Sequence, residues 1–281
     1  MSDLPKGMKR RLPQPLQEPA RKTWYALLRA RQWPAASFHP WRRSSMHHLD
    51  NLRDAYHGKR CIIIGNGPSL KQTDLSRLQG EFTFGMNRIY LMFPELGFST
   101  TFFLSVNDLV IEQCASEILA LPIPKFLSWR SRNIIRPLIE NERSLPETPP
   151  LVFLHTTYTG PRFATDASQR LWEGATVTYV ALQLAFHMGF SQVILIGVDH
   201  NFSTQGKPNT TVISQGDDPD HFSGNYFGKG FRWQLPDLDT SEQSYAMARR
   251  AYLDAGREVL DATIGGKLTV FPKVDYASLF K

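Results

Sequence analysis

The chain has 281 residues, 42% of them hydrophobic and 21% charged, enough to bury one large core. No apolar run approaches the roughly 18–20 residues of a membrane-spanning helix, the first residues lack the apolar segment of a secretory signal, and no repeat is sustained. The net charge of +6 is confined to residues 1–57, where 11 Lys and Arg face 4 Asp and Glu, so the rest of the chain lacks the basic excess of a nucleic-acid binder.

Residues 1–57 also carry six prolines and read as a basic, Pro-rich, partly disordered arm, with disorder expected through residue 20. Within it Trp24, Leu27, Leu28 and Arg31 fall at helical spacing, which suits an anionic membrane surface or an acidic partner. A solvated arm whose aromatic rings pack on the main domain is the plainer reading. Two cysteines, Cys61 and Cys114, are too few for a disulfide framework, so a reducing, cytoplasmic setting is expected, peripheral to the inner face of a membrane if the arm binds lipid.

From residue 58 onward β-rich runs alternate with helical stretches. Arg60–Ile64 is a continuous apolar run ending in Gly65, as in a central strand buried on both faces. Phe82–Met86, Thr101–Val106, Lys125–Trp129, Val152–His155, Gln192–Ile196 and Leu268–Phe271 are the further strand candidates. A helical period over residues 176–188 closes at Gly189, and Ser241–Ala255 is a second helix followed by Gly256. This alternation predicts an α/β fold: an open, mostly parallel, Rossmann-like sheet with helices on both faces. Residues 198–239 show no period but are rich in aromatic side chains, which suits a long lid loop better than a disordered insertion.

Ligands of such sheets bind beyond the carboxyl ends of the strands, so the residues just past each strand are the site candidates. After the first comes Gly65-Asn66-Gly67-Pro68-Ser69-Leu70, where glycines admit close backbone approach and a following helix offers amides. It lacks the third glycine of a dinucleotide fingerprint and the Gly-Lys-Ser/Thr of a P-loop, and a plain tight turn remains open. Asn87 and Asn107 follow the next two strands; with Asn66 they present side chains that both donate and accept, as ribose hydroxyls and base edges require. Asp199 follows Gly197-Val198 and suits a ribose, a magnesium ion or loop orientation. Gly174-Ala175-Thr176 is either a small-residue anion cradle or an ordinary helix cap. In the lid, His221 follows Asp217, Asp218 and Asp220 and suits a general base, or equally a loop histidine steadying an Asp turn. No serine-hydrolase elbow, zinc-protease motif or glycosidase carboxylate pair occurs.

Ile62–Leu70, residues 174–179 and 193–200, His221-Phe222, Tyr226–Gly230 and Asp261–Gly266 resemble the bacterial family named after the archaeal 6-hydroxymethylpterin diphosphokinase MptE, over residues 58–281. The opening GNGPSL also resembles the bacterial lipooligosaccharide sialyltransferases, which use a CMP-activated sugar without a metal. That likeness implies nucleotide contacts from Asn66, Asn87 and Asn107 and acceptor deprotonation by His221. The chain departs from that group at Asp199-His200-Asn201-Phe202, where the sialyltransferases place phosphate-binding tyrosines.

Three readings follow. The first is a nucleotide-dependent, glycosyltransferase-like enzyme acting on a cell-envelope saccharide. Its nucleotide-activated donor would sit on Gly65–Ser69, Asn87, Asn107, Gly174–Thr176 and Asp199, its phosphate on Lys229 or Arg232, and His221 would be the base. The second is an MptE-like diphosphokinase using ATP and Mg2+, with Asp108 and Asp199, and beside them Asp217 and Asp218, as the available ligands. The third is a non-catalytic nucleotide-binding or scaffold protein docked through its arm.

Overall fold

The run Arg-Cys-Ile-Ile-Ile forms β1 (Arg60–Ile64), and each of its side chains from Cys61 on is buried, because helices cover both faces of the sheet it belongs to. The computed structural model describes residues 13–139, 145–146, 148–204 and 206–280. The further strands of the main sheet are β2 (Thr83–Met86), β3 (Phe102–Ser105), β4 (Lys125–Ser128), β5 (Leu151–Thr157), β6 (Arg170–Trp172) and β7 (Gln192–Ile196). After them come a small antiparallel pair, β8 (Thr211–Ile213) with β9 (Arg232–Gln234), and the last sheet strand β10 (Glu258–Asp261). The sheet has eight strands in the order β10-β7-β1-β2-β3-β4-β5-β6, every neighbouring pair parallel.

Alternation along each strand divides the apolar side chains between two cores. Ile63, Phe84, Leu104 and Phe126 face one side, where they meet Tyr179, Val180 and Leu184 of α4 (Val177–His187) and Tyr245, Ala248 and Tyr252 of α5 (Leu238–Asp254). Ile62, Ile64, Phe103, Leu127 and Phe153 face the other, against Val110, Ile111 and Ile118 of α3 (Asp108–Ala120). The expected open parallel α/β sheet with helices on both faces is the fold observed.

Three local expectations differ from the structure. Leu268–Phe271 is not a strand; Leu268 and Phe271 are buried as loop residues, and burial alone gave that run its strand-like look. The edge strand is Glu258–Asp261, whose mixed burial hides it in the sequence. Disorder through residue 20 also fails where the chain is described: α1 (Gln14–Phe38) is helical, and residues 1–12 lie outside the described residues. One proline sits in the first turn of α1, where a missing amide costs nothing, whereas Pro19 and Pro34 lie inside the helix.

The following helix, α2 (Pro40–Leu52), joins the core directly. Trp41 stacks on Phe153 with ring centroids 5.8 Å apart, and the Ser45 hydroxyl accepts the Phe153 amide at 2.9 Å. Residues 198–239 are packed as well: Phe222, Tyr226 and Phe227 are buried in the same core as α3.

Candidate functional site

Strand order reverses between β1 and β7: β2 through β6 lie on one side of that pair and β10 on the other. Loops leaving two such strands diverge and open a crevice, the usual ligand position in an open α/β sheet. A cavity of about 580 Å³ lies there, lined by the segments that follow β1 through β7 and by the lid.

The two central loops are locked together. A Cβ at Gly67 would overlap the Asp199 carboxylate, so only glycine admits this approach. Asp199 accepts the Ser69 amide at 3.1 Å and the Ser69 hydroxyl at 2.7 Å. Burial raises the Asp199 carboxyl above its ordinary range, and those two bonds offset only part of that effect. The Asn66 amide group donates to the Met86 carbonyl at 3.1 Å, while its Oδ1 is buried with no protein partner. A buried acceptor left unpaired beside a cavity is an open position for a ligand donor.

Asn87 sits at φ 53°, a left-handed conformation asparagine tolerates, and its Oδ1 accepts the Ser105 hydroxyl at 3.0 Å. Asn107 caps α3 by accepting the amides of Leu109 and Val110. Each asparagine therefore spends part of its capacity on its own loop, yet all three line the cavity.

Arg130, two residues past the end of β4, spans the site. It pairs with Glu173, donates to Asp108 at 3.1 Å and to Thr156 at 3.0 Å, and lies over the Tyr158 ring. Burial alone would weaken its proton affinity, but the Glu173 and Asp108 charges outweigh that and raise it. On the neighbouring segment Gly174 and Ala175 both adopt positive φ, 52° and 64°. Thr176 caps α4 by accepting the Thr178 amide at 3.3 Å, so the cavity meets the amino end of that helix. A left-handed alanine costs about 1 kcal/mol, which the surrounding packing must hold in place.

The lid delivers His221 to the cavity. Its Nδ1 lies 2.9 Å from both oxygens of the buried Asp218, which also accepts the amides of Phe227 and Asp220 at 3.1 Å. The imidazole stacks on Tyr226 with centroids 4.0 Å apart and planes 5° apart. A carboxylate at Nδ1 fixes the tautomer and leaves Nε2, which no described protein group bonds, for a ligand. The lid is braced within itself and anchored to the body. Asp220 accepts the amides and hydroxyls of Ser203 and Thr204, and Arg88 bonds the Tyr226 carbonyl while lying over the Phe231 ring.

Not every expected residue arrives here. Lys229 and Arg232 are absent from the cavity wall: Lys229 is exposed, and Arg232 pairs with Glu112 at 3.0 Å. Arg232 opens β9, which lies against α3 and gives its side chain Glu112 as partner, while Lys229 stands in the loop just before β9. Pro68 and Ser69 stand behind the wall, with Ser69 reaching the site only through Asp199. Asp217 is exposed.

The suggested magnesium ligands are engaged in protein contacts, although Asp108 and Asp199 both line the cavity. Both oxygens of Asp108 are engaged by Ser128 and Arg130, and both oxygens of Asp199 by Ser69. Asp218 is committed to His221, and among the described residues no three His, Cys, Asp or Glu side chains are grouped to hold a metal ion.

Sequence reasoning overlooked Arg130, Tyr158 and Glu173. Arg130 lies two residues past the fourth strand, so extending the strand-end rule past the third strand finds it. Asp218 stands among the metal candidates in the sequence, because three acidic residues in four positions do not reveal which one turns toward the histidine.

No protein-family profile matches the sequence, and no curated protein matches it. Among solved structures, the chain is similar to the MAf glycosyltransferase from Magnetospirillum magneticum AMB-1, at 13% identity and a TM-score of 0.48. The match covers 83% of this chain but 38% of that one, so the chain spans well under half the length of its structural neighbour. No helix of the described residues is long and apolar enough to cross a membrane.

Proposed function

We propose that the chain is a nucleotide-dependent transferase, glycosyltransferase-like in its chemistry, that moves a sugar from a nucleotide-activated donor to a hydroxyl of a cell-envelope saccharide. One observation carries the reading: a histidine oriented by a buried carboxylate shares a cavity with three strand-end asparagines at the point where the strand order reverses.

In this reading the nucleoside lies across β1–β3, where Asn66 Oδ1 accepts from the base or ribose and Asn87 and Asn107 contribute their remaining capacity. The phosphate meets the Gly174-Ala175 backbone at the amino end of α4, while the Thr176 amide is spent on the Glu173 carbonyl at 2.9 Å. His221 Nε2 takes the proton of the acceptor hydroxyl as its oxygen bonds to the anomeric carbon. The bond from that carbon to the donor phosphate breaks, and its electron pair leaves with the nucleotide. Asp218 stabilises the imidazolium that forms, and base catalysis of this kind contributes about 10²–10⁴-fold.

The charge of the wall narrows the donor. Among the described residues Arg130 is the single arginine of the cavity, it is already held by two carboxylates, and no lysine lines the cavity. A wall with so little free positive charge suits a donor of low phosphate charge better than a triphosphate taken up without a metal. The magnesium-dependent diphosphokinase reading would draw on Asp108 and Asp199, both of which line the cavity.

Thermal-shift titrations with CMP, CDP, UDP and ATP, each with and without magnesium, test this. Stabilisation by CMP without metal is the expected result. Stabilisation by magnesium-ATP alone overturns the reading in favour of phosphoryl transfer.

A further inference from the structure

The cavity holds a second histidine. His200 follows Asp199 in the loop leaving β7 and adopts φ 54°, a left-handed conformation that histidine enters more readily than most residues. Its ring reaches the first turns of α5, where Nε2 lies 3.0 Å from Glu242 Oε1. That ring is 7% exposed and meets the Tyr245 ring at 6.3 Å and 64°. The Tyr245 hydroxyl in turn lies 3.4 Å from that of Thr176, the residue that caps α4. His200 therefore stands beside the amino end of α4, where the donor phosphate is placed above. Its Nδ1 bonds no described protein group, and the residue lines the cavity.

A phosphate there needs a positive partner that the rest of the wall does not provide. Arg130 is held by Glu173 and Asp108, the Thr176 amide is spent on the Glu173 carbonyl, and no lysine lines the cavity among the described residues. An imidazole between a carboxylate and a phosphate carries a proton on each nitrogen, so the arrival of the anion favours the imidazolium. The other charged groups around this loop have their own partners. Asp199 turns its carboxylate to Ser69, Asp220 to Ser203 and Thr204, and Asp218 to His221. Asp237 caps α5 and accepts from Asn209, and Lys267 meets the loop through its backbone amide, its side chain exposed. Glu242, half-exposed, is the carboxylate left for the His200 ring.

We propose that His200 is a second catalytic histidine, bonded to the donor phosphate through Nδ1 and held in place by Glu242 at Nε2. This deepens the transferase reading and rests on it. The two histidines serve opposite ends of the reaction. The acceptor hydroxyl loses its proton to His221 Nε2 as its oxygen bonds to the anomeric carbon. The bond from that carbon to the phosphate oxygen breaks and its electron pair stays on the oxygen. His200 Nδ1 donates its proton toward the charge that develops there. Nothing else is consumed. One segment links the pair: residues 200–204 begin at His200 and end in the hydroxyl groups that hold Asp220, the neighbour of His221.

Calorimetric titration of the full chain with CMP, UMP, GMP and AMP, each beside its own nucleoside, isolates the contribution of the phosphate. The parent chain should bind one monophosphate more tightly than its nucleoside by about tenfold to a hundredfold, the range of a charge-assisted hydrogen bond. His200→Asn, which keeps a residue tolerant of left-handed backbone, should lose most of that advantage and leave nucleoside affinity unchanged. Repeating the titrations in two buffers of different ionisation enthalpy counts the protons taken up on binding. The parent should take up more than His200→Asn, with Glu242→Gln between them. Three results overturn the proposal and leave the transferase reading in place: no phosphate advantage in the parent, equal loss of both affinities in His200→Asn, or an undiminished advantage or proton uptake in that variant. Should His200→Asn fail to fold, a Glu242→Gln chain with the parent's advantage and proton uptake overturns it equally. A parent chain that binds none of the four nucleotides overturns the transferase reading, and this proposal with it.

Discussion

His221 Nδ1 stands 2.9 Å from both carboxylate oxygens of Asp218, and the same carboxylate accepts the amides of Phe227 and Asp220. The pair is thus built into the packing of the lid. Replacing Asp218 by Asn keeps most of the shape but removes the charge that stabilises an imidazolium. Turnover should fall by about tenfold to a thousandfold while nucleotide affinity changes little. Steady-state kinetics with parallel calorimetric titration of the nucleotide checks this. An equal loss in both would make the histidine a structural group.

At the floor of the cavity the tight approach of Gly67 to Asp199 leaves no room for a methyl group. Gly67→Ala must push the Asp199 loop away and break its two bonds from Ser69. A destabilisation of about 1–3 kcal/mol is expected from such overpacking, with loss of nucleotide protection. Denaturant melts and thermal shifts of the same variant report both. A variant with unchanged stability and full protection would show that the loops are free to part.

Arg130 joins Asp108 and Glu173 across the rim. Arg130→Gln leaves two carboxylates facing each other without a cation, and because Asp108 is half exposed while Glu173 is largely buried, a loss of about 1–3 kcal/mol is expected from leaving them unpaired. Adding Glu173→Gln to that variant should recover part of the loss, because it removes the charge left uncompensated. A double-mutant cycle by chemical denaturation measures the coupling directly.

The lid should loosen in acid. Burial of Asp220 favours its neutral form, but the amides and hydroxyls of Ser203 and Thr204 outweigh that and hold the carboxyl below its ordinary range. A carboxyl that titrates lower in the folded state stabilises fully above the unfolded value of about 3.9 and loses that contribution as pH falls through the folded value. Asp220→Asn should therefore lower stability at neutral pH by about 1–3 kcal/mol, with the difference from the parent chain closing at the acid end. Melting temperatures of both proteins from pH 7 downward check this, and a difference independent of pH contradicts it.

The sheet was readable in the sequence because its strands are buried on both faces and therefore appear as unbroken apolar runs, as in Cys61–Ile64 and Val193–Ile196. Leu268–Phe271 imitates such a run through burial without pairing, and Glu258–Asp261 pairs without looking apolar, so hydrophobicity reverses the two. The convergence of Asn66, Asn87, Asn107 and Asp199 followed from the parallel topology, which sets every strand end on one rim. Lys229 and Arg232 were out of reach of that logic. Their direction depends on the β8–β9 hairpin, whose short strands carry no periodic signal. Arg130 was one strand further along a rule already in use.

A crystal structure of the protein soaked with CMP tests the central assignment most directly. The expected result is the nucleoside beside Asn66, Asn87 and Asn107, its phosphate at the amino end of α4 beside Gly174 and Ala175, and His221 Nε2 facing open space where an acceptor hydroxyl would enter. An empty cavity at saturating nucleotide, or a nucleotide bound elsewhere on the molecule, would contradict it.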